Sequence, residues 1–254
     1  MVAYLRLIDA NDNIYNFPPS FWITDDGSAQ TQNIRNKAYA AGGRNIADGY
    51  IQARTILIEG ALRADTLAAL ETAKRNLVKA CFAGGKLSVV DDVVKRYIIV
   101  SNAMFDSSYQ GDYRLEIPFP ISFLAENPFW QDATEIEDIN IVAGNDEFTI
   151  DNSGSDFLIY PVIEILADQG VALPGIKLIN ASDGGMSCEY NDPNFVQNDL
   201  LEIDCRNGTV KRNSNSTIEF FNPARFLRLQ NLVNTIRYEG NACTITFKYR
   251  KVYL

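Results

Sequence analysis

The 254-residue chain contains no histidine. That absence removes the Ser-His-Asp and Cys-His nucleophilic arrangements and every histidine-bearing zinc site. It is the strongest argument in the sequence against an enzyme. Cysteine is scarce as well: Cys81, Cys188, Cys205 and Cys243 lie too far apart for a CxxC-type metal pair and are too few for a disulfide framework in a chain of this size. They read as reduced and mostly buried. No run of about 18 apolar residues exists, and Arg6 and Asp9 interrupt the amino-terminal stretch where a signal peptide needs an unbroken apolar centre. The expectation is a soluble chain with no export signal and no membrane partner.

Positive charge is the next shortage. Lys and Arg number 23 against 32 Asp and Glu, a formal net charge of −9, which argues against binding nucleic acid by broad phosphate neutralisation. The deficit is uneven. Met1–Gln131 holds 14 acidic and 13 basic residues, whereas Asp132–Leu254 holds 18 and 10. Such asymmetry, in a chain with enough hydrophobic residues for two cores of ordinary size, places a boundary between domains at 1–131 and 132–254.

Several motifs approach a known chemistry and miss it. Asp9, Asn11 and Asn13 match the first three ligand positions of a calcium loop, but Ile14 stands where glycine is needed and Ser20 where a bidentate Glu belongs. "YLRLIDANDNIYNF" therefore reads as a hairpin around an Asx-rich turn. "AGGKLSV" resembles a phosphate loop, yet Ala80 and Leu87 occupy the positions of its first glycine and its Ser or Thr. Gly84-Gly85 is instead a helix-to-strand connection. The carboxylates Asp91, Asp92, Glu135, Glu137 and Asp138 read as solvated faces rather than acid/base pairs. No catalytic residue, cofactor or metal ligand is expected.

The elements follow from periodicity. "ARTILIEG" alternates as a strand. A helix follows in which Leu67, Leu70, Leu77, Val78 and Cys81 share a face, Glu71 and Arg75 pair at i,i+4, and Asp65 or Thr66 caps the start. "KLSVV" and "RYIIVSNA" are strands. "YRLEIPFPISF", Tyr113–Phe123, alternates most regularly of all, and its two prolines suit an edge strand. Asn127-Pro128 then stops the chain before Phe129 and Trp130. From Glu135 onward the runs "EFTI", "YPVIEIL", "IKLIN", "LLEIDC", "GTVKR", "STIEFF", "NTIRYEG" and "CTITFKYRKVYL" alternate with turn clusters, the pattern of an antiparallel sandwich. The class is mainly β, with an α+β first half.

The order of these elements resembles the distal tail protein (Dit) family of long-tailed bacteriophages and prophages. The likeness is carried by "ARTILIEGALRADTLAALETAKRNLVKACFAGGKLSVV", the strand closing in "FLAENPFW", and then "IDNSGSDFLIYPVIEIL", "LLEIDCRNGTV" and "FLRLQNLVNTIRYEGNACTITFKYRKVYL". It covers almost the whole chain, with Val233 where family members often have glycine before the late asparagine, Asn234. The resemblance implies a structural virion protein at the tail tip, made in the bacterial host cytoplasm. Its first half would be a tail-tube-like ring-forming domain, six copies closing a hub around the channel through which DNA passes. Its second half would be a galectin-like sandwich. The implied partners are the chain itself as a homohexamer, the tail tube protein, a tail-tip protein and a receptor-binding protein or fibre.

Two sets of residues acquire roles on this view. Phe129 and Trp130 would pack at the junction between the domains. The polar, glycine-dotted stretch Gln32–Tyr50 reads as a loop without a core of its own, a cationic arm reaching a neighbouring copy through Ile34, Arg35, Lys37, Tyr39, Arg44, Ile46 and Tyr50. The alternative function is carbohydrate binding, with aromatics such as Trp22 and Tyr190 stacking on sugars.

Overall fold

A computed structural model describes residues 4–25, 31–32, 43–46, 49–82, 84–90, 95–105, 115–168, 172–223 and 226–253. Two compact units emerge, the first ending at Ala133 and the second spanning Thr134–Tyr253.

The first unit begins with the expected hairpin, β1 (Tyr4–Ile8) against β2 (Ile14–Asn16). Its turn is held by the Asp9 carboxylate, which accepts the backbone N–H groups of Asn11 and Asn13 at 2.8 and 2.9 Å and the Asn13 side-chain amide at 2.9 Å. The group a calcium loop would offer to an ion is thus committed to the turn. Further strands are β3 (Trp22–Asp25), β4 (Thr31–Gln32), β5 (Gly43–Ile46), β6 (Gly49–Gln52), β7 (Arg54–Glu59) and β8 (Ala61–Arg63). Helix α1 (Leu67–Phe82) is followed by β9 (Gly85–Val90), β10 (Lys95–Phe105), β11 (Glu116–Pro118), β12 (Ile121–Ala125) and β13 (Trp130–Asp132).

The main sheet runs β2-β1-β9-β10-β12-β7-β3 with all pairs antiparallel, and β10 is its spine. The first half of β10 pairs with β9 on one side and β13 on the other, and its second half pairs with β12 across a register break between Ser101 and Met104. Such a bulge bends a strand and lets it serve two sets of neighbours. Thr66 caps α1, its hydroxyl accepting the Ala69 N–H at 3.2 Å. Leu70, Leu77 and Cys81 are buried, but Leu67 is exposed, and among the described residues no ion pair joins Glu71 to Arg75. Gly84 and Gly85 have positive φ, and a Cβ on them would lie 2.3 Å from the Val100 carbonyl oxygen and 2.1 Å from that of Ile8. Only glycine fits where α1 hands over to β9.

Two expectations fail here. The stretch Tyr113–Phe123 is not one edge strand. Tyr113 and Arg114 lie outside the described residues, and the rest forms β11, paired among the described residues with β8 alone, and β12, which sits in the sheet interior between β10 and β7. The break falls at Phe119-Pro120, where the Phe119 N–H donates to the Gly60 carbonyl at 2.7 Å and the Phe119 ring is buried. Pro120 cannot donate to a ladder, so the chain changes sheets there. Nor is Gln32–Tyr50 only loop: β4, β6 and β5 form a three-stranded antiparallel sheet, with Arg44 opposite Ile51 and Asn45 opposite Tyr50. Backbone pairing needs no apolar periodicity, so the pattern gave no sign of it.

The second unit is a sandwich of two antiparallel sheets. Its strands are β14 (Ile136–Val142), β15 (Asp146–Asp151), β16 (Val162–Ala167), β17 (Ile176–Asn180), β18 (Met186–Tyr190), β19 (Leu200–Asp204), β20 (Thr209–Arg212), β21 (Asn215–Ser216), β22 (Phe221–Pro223), β23 (Val233–Glu239) and β24 (Cys243–Tyr249). One sheet has the order β14-β24-β16-β19-β20-β21 and the other β15-β23-β17-β18-β22. Inward residues such as Ile163, Ile165, Ile245 and Phe247 from the first sheet and Leu178, Ile236 and Tyr238 from the second join one buried core. "STIEFF" is not a strand throughout: a 3-10 turn at Ile218–Phe220 precedes β22.

Candidate interaction surfaces

Asn127 and Pro128 lie in the bend between β12 and β13, both of which pair with β10. The bend is pinned by Arg54, a buried cation whose Nη1 donates to the Pro128 carbonyl at 2.9 Å. Phe129 and Trp130 are both buried immediately after it, and Tyr97 donates its hydroxyl to Gln131 Oε1 at 3.0 Å one residue further on. Sequence reading passed over Arg54, although a basic residue that opens an otherwise alternating apolar strand is the kind of signal that marks a buried anchor.

Of the arm residues, Ile34, Arg35, Lys37 and Tyr39 lie outside the described residues, as do Asp91 and Asp92. Arg44 and Ile46 are in β5 and Tyr50 in β6, so the hairpin brings Tyr50 opposite Asn45, between those two.

The four thiols are buried. Burial pushes Cys81 and Cys188 up to about 12 and Cys243 up to about 11, and Cys205 also lies well above the ordinary thiol value. All stay protonated at neutral pH, the unreactive form. Among the described residues no group of three or more Cys, Asp or Glu is placed to hold a metal ion. Tyr190 cannot stack on a sugar: it is fully buried, edge-on to Phe195, with its hydroxyl donating to Asp192 Oδ2 at 2.9 Å. Trp22 is 54% exposed on β3, in the other unit.

A buried polar network organises the segment before β23. Asn234 Oδ1 accepts from the Asn180 side chain at 2.9 Å and the Gln230 N–H at 2.8 Å, while its amide donates to the carbonyls of Gln230 and Leu232 at 2.9 and 2.8 Å. Arg228 binds the Asp183 carboxylate at 2.6 and 3.1 Å, and that hydrogen bonding holds its guanidinium above the usual arginine value. The late asparagine is therefore a structural knot.

The two outer faces of the sandwich differ. On the five-stranded sheet the outward charges answer one another across strands: Arg237 lies 3.7 Å from Glu147, and Lys177 lies 3.2 Å from Glu189 and 3.9 Å from Glu239. On the six-stranded sheet, Ile141 stands opposite Thr244, Thr244 opposite Leu166, and Leu166 opposite Leu200. Ile141 is 78% exposed and its neighbour on the same face, Ile139, 61%, with Leu166 and Leu200 also exposed. Glu137, Glu164 and Glu202 flank this aliphatic row and are each ion-paired, the first two with Lys248 at 3.8 and 2.7 Å and the third with Lys211 at 3.3 Å. In the first unit, the side of α1 turned from its core carries an open groove of about 540 Å³ lined by Glu71, Lys74, Arg75, Val78, Lys79 and Phe82. Phe82 is 76% exposed there.

No family model matches the chain, and no curated protein matches it. Among solved structures it is similar to the Dit (gp 19.1) protein of SPP1, described as a paradigm of the hub adsorption apparatus in phages infecting Gram-positive hosts, with a TM-score of 0.65, 14% identity and 100% of both chains covered. The phage P2 baseplate in its activated conformation also matches, with Ca at a TM-score of 0.47 and with Sr at 0.45, each at 10% identity over 98% of both chains. The chain thus has a Dit-like fold along its whole length.

Proposed function

We propose that this chain is a structural protein of a phage or prophage tail tip, a hub that joins the tail tube to the tail-tip and fibre apparatus. The observation that carries the reading is the end-to-end likeness to the SPP1 hub protein, which spans both units in one order rather than a single common sandwich. Work of this kind is done by protein surfaces and requires no chemistry of its own, in keeping with four inert thiols and a pair of exposed apolar surfaces.

The first unit is the ring-forming part. Six copies close around the channel through which DNA leaves, the arm built on β4, β5 and β6 reaches the next copy, and Phe129 and Trp130 pack where the two units meet. Rings need heterologous contacts, two different patches meeting head to tail. Light scattering coupled to gel filtration at high protein concentration tests this: the full chain gives hexamers, and deletion of Ala40–Asp48 gives folded monomers. A chain that stays monomeric under all conditions overturns the ring. A deletion variant that still closes shows that the arm is dispensable.

A further inference from the structure

The sequence contains a single Asn-Gly pair, Asn207-Gly208, and it falls in the turn between β19 and β20. The turn demands the glycine: Gly208 has a φ of 68°, the left-handed region that other side chains avoid. The same missing Cβ leaves its peptide nitrogen open to the side-chain amide of the residue before it. We propose that Asn207-Gly208 is a site of spontaneous modification, cyclisation to a succinimide, and that the Asp204 carboxylate guards it in the folded chain.

The chemistry needs only water. Gly208 N loses its proton and attacks Asn207 Cγ. The new N–C bond forms as the Cγ–Nδ2 bond breaks, and Nδ2 leaves as ammonia, its added proton replacing the one that Gly208 gave up. Water then opens the cyclic imide at one of its two carbonyls, leaving aspartate or isoaspartate at position 207. Nothing is oxidised or reduced.

Asp204 opposes the first step. Its Oδ2 accepts the Asn207 side-chain amide at 2.6 Å and its Oδ1 accepts the Asn207 backbone N–H at 2.9 Å, so swinging Cγ over the Gly208 nitrogen breaks the side-chain contact. The Gly208 N–H donates to the Asp204 carbonyl at 2.9 Å, which commits the proton that must leave. A carboxylate beside the turn also disfavours the anion that this loss creates. Oδ1 takes the Arg206 N–H as well, at 2.9 Å, so one residue fixes the whole turn. Asn207 is exposed, and water and base reach it whenever the turn opens. The product keeps the turn open. Aspartate at position 207 sets two carboxylates where Nδ2–H and Oδ2 now meet, and isoaspartate adds a methylene to the backbone between strands whose register pairs Asp204 with Thr209.

The test ages the full chain at mildly alkaline pH and locates the products by peptide mapping, with an isoaspartate-specific methyltransferase as a second readout. Folded Asp204→Ala converts at position 207 about tenfold or more faster than the folded parent, the scale of a lost hydrogen bond to a charged group. Asp204→Asn keeps an oxygen for the backbone N–H groups of Arg206 and Asn207 and loses only the carboxylate. It converts faster than the parent and more slowly than the alanine variant. The parent in urea marks the unguarded rate, and circular dichroism checks that the variants are folded; if the alanine variant unfolds, the asparagine variant decides alone. A parent that converts as fast folded as in urea, folded variants that age at the parent's rate, or products that map chiefly to other asparagines overturn the proposal.

Discussion

The two units reach similar compactness by different physical means. In the second, strict alternation sorts the side chains: β24 buries every second residue from Cys243 to Tyr249, and the sheets close over one core. In the first, placement is decided by the backbone. A bulge lets β10 serve two sets of partners, Pro120 moves the chain from one sheet to another, and two glycines admit the close approach of Ile8 and Val100. Side-chain patterning specifies a sandwich well because the period of a strand is two and one face is dry. A sheet whose strands bend and change partners needs residues that alter the backbone itself.

The largest expected effect breaks the first unit. Trp130 is buried beside the turn that Arg54 pins, so Trp130→Ala is expected to cost about 3–5 kcal/mol, as loss of a large buried aromatic does. Calorimetry sharpens the comparison. If Trp130 packs where the units meet, the parent melts in one transition and the variant in two. A parent-like melt would show that the ring carries little of the packing.

A smaller effect is expected in the second unit, where polar groups rather than apolar area hold the weak point. Asn234→Ala removes four hydrogen bonds; the Asn180 amide keeps only its bond to the Arg228 carbonyl, and the Gln230 N–H loses the Asn234 acceptor. Unsatisfied buried donors cost about 1–3 kcal/mol each, so a loss of at least about 2 kcal/mol is expected in chemical denaturation. Hydrogen exchange would place it: amides of Gln230 to Thr235 lose protection while those of β24 keep theirs. An unchanged denaturation midpoint would mean that water replaces the amide.

What could be read from the sequence follows the same division. The amino-terminal hairpin, the helix, its cap at Asp65 or Thr66 and most strands of the sandwich were legible because each has a local cause. The strands β14 and β18 were not, since Glu137, Asp138 and Glu189 dilute their apolar alternation. The Tyr113–Phe123 pattern was misleading because periodicity is blind to a change of sheet. Of the interaction surfaces, Phe129 and Trp130 stood out as large aromatics after a stop, but the row through Ile141, Thr244, Leu166 and Leu200 is assembled from four strands far apart in sequence. Only register brings it together.

The smallest effect concerns the Asp9 turn, the part of the first unit that does follow local rules. Hydrogen bonds from the Asn13 side chain and backbone, with a further one from Asn11, hold the Asp9 carboxyl below its ordinary value. A depressed folded-state value means that the ionised form favours the folded turn. Its contribution is present above the value for an unfolded aspartate and disappears as pH falls through the folded one. The loss therefore lies at acid pH and leaves neutral solutions untouched. In an NMR titration, Asp9 is expected to ionise at lower pH than an ordinary aspartate, and the amide of Asn13 should lose its protection over the same range. Replacing Asn13 by alanine removes the side-chain hydrogen bond that lowers Asp9 most, so Asp9 should move back toward the ordinary value with little change elsewhere in the first unit. An Asp9 that titrates normally in the parent would show that the turn is held by backbone geometry alone, and that even the most legible segment of the first unit owes its shape to the chain rather than to its side chains.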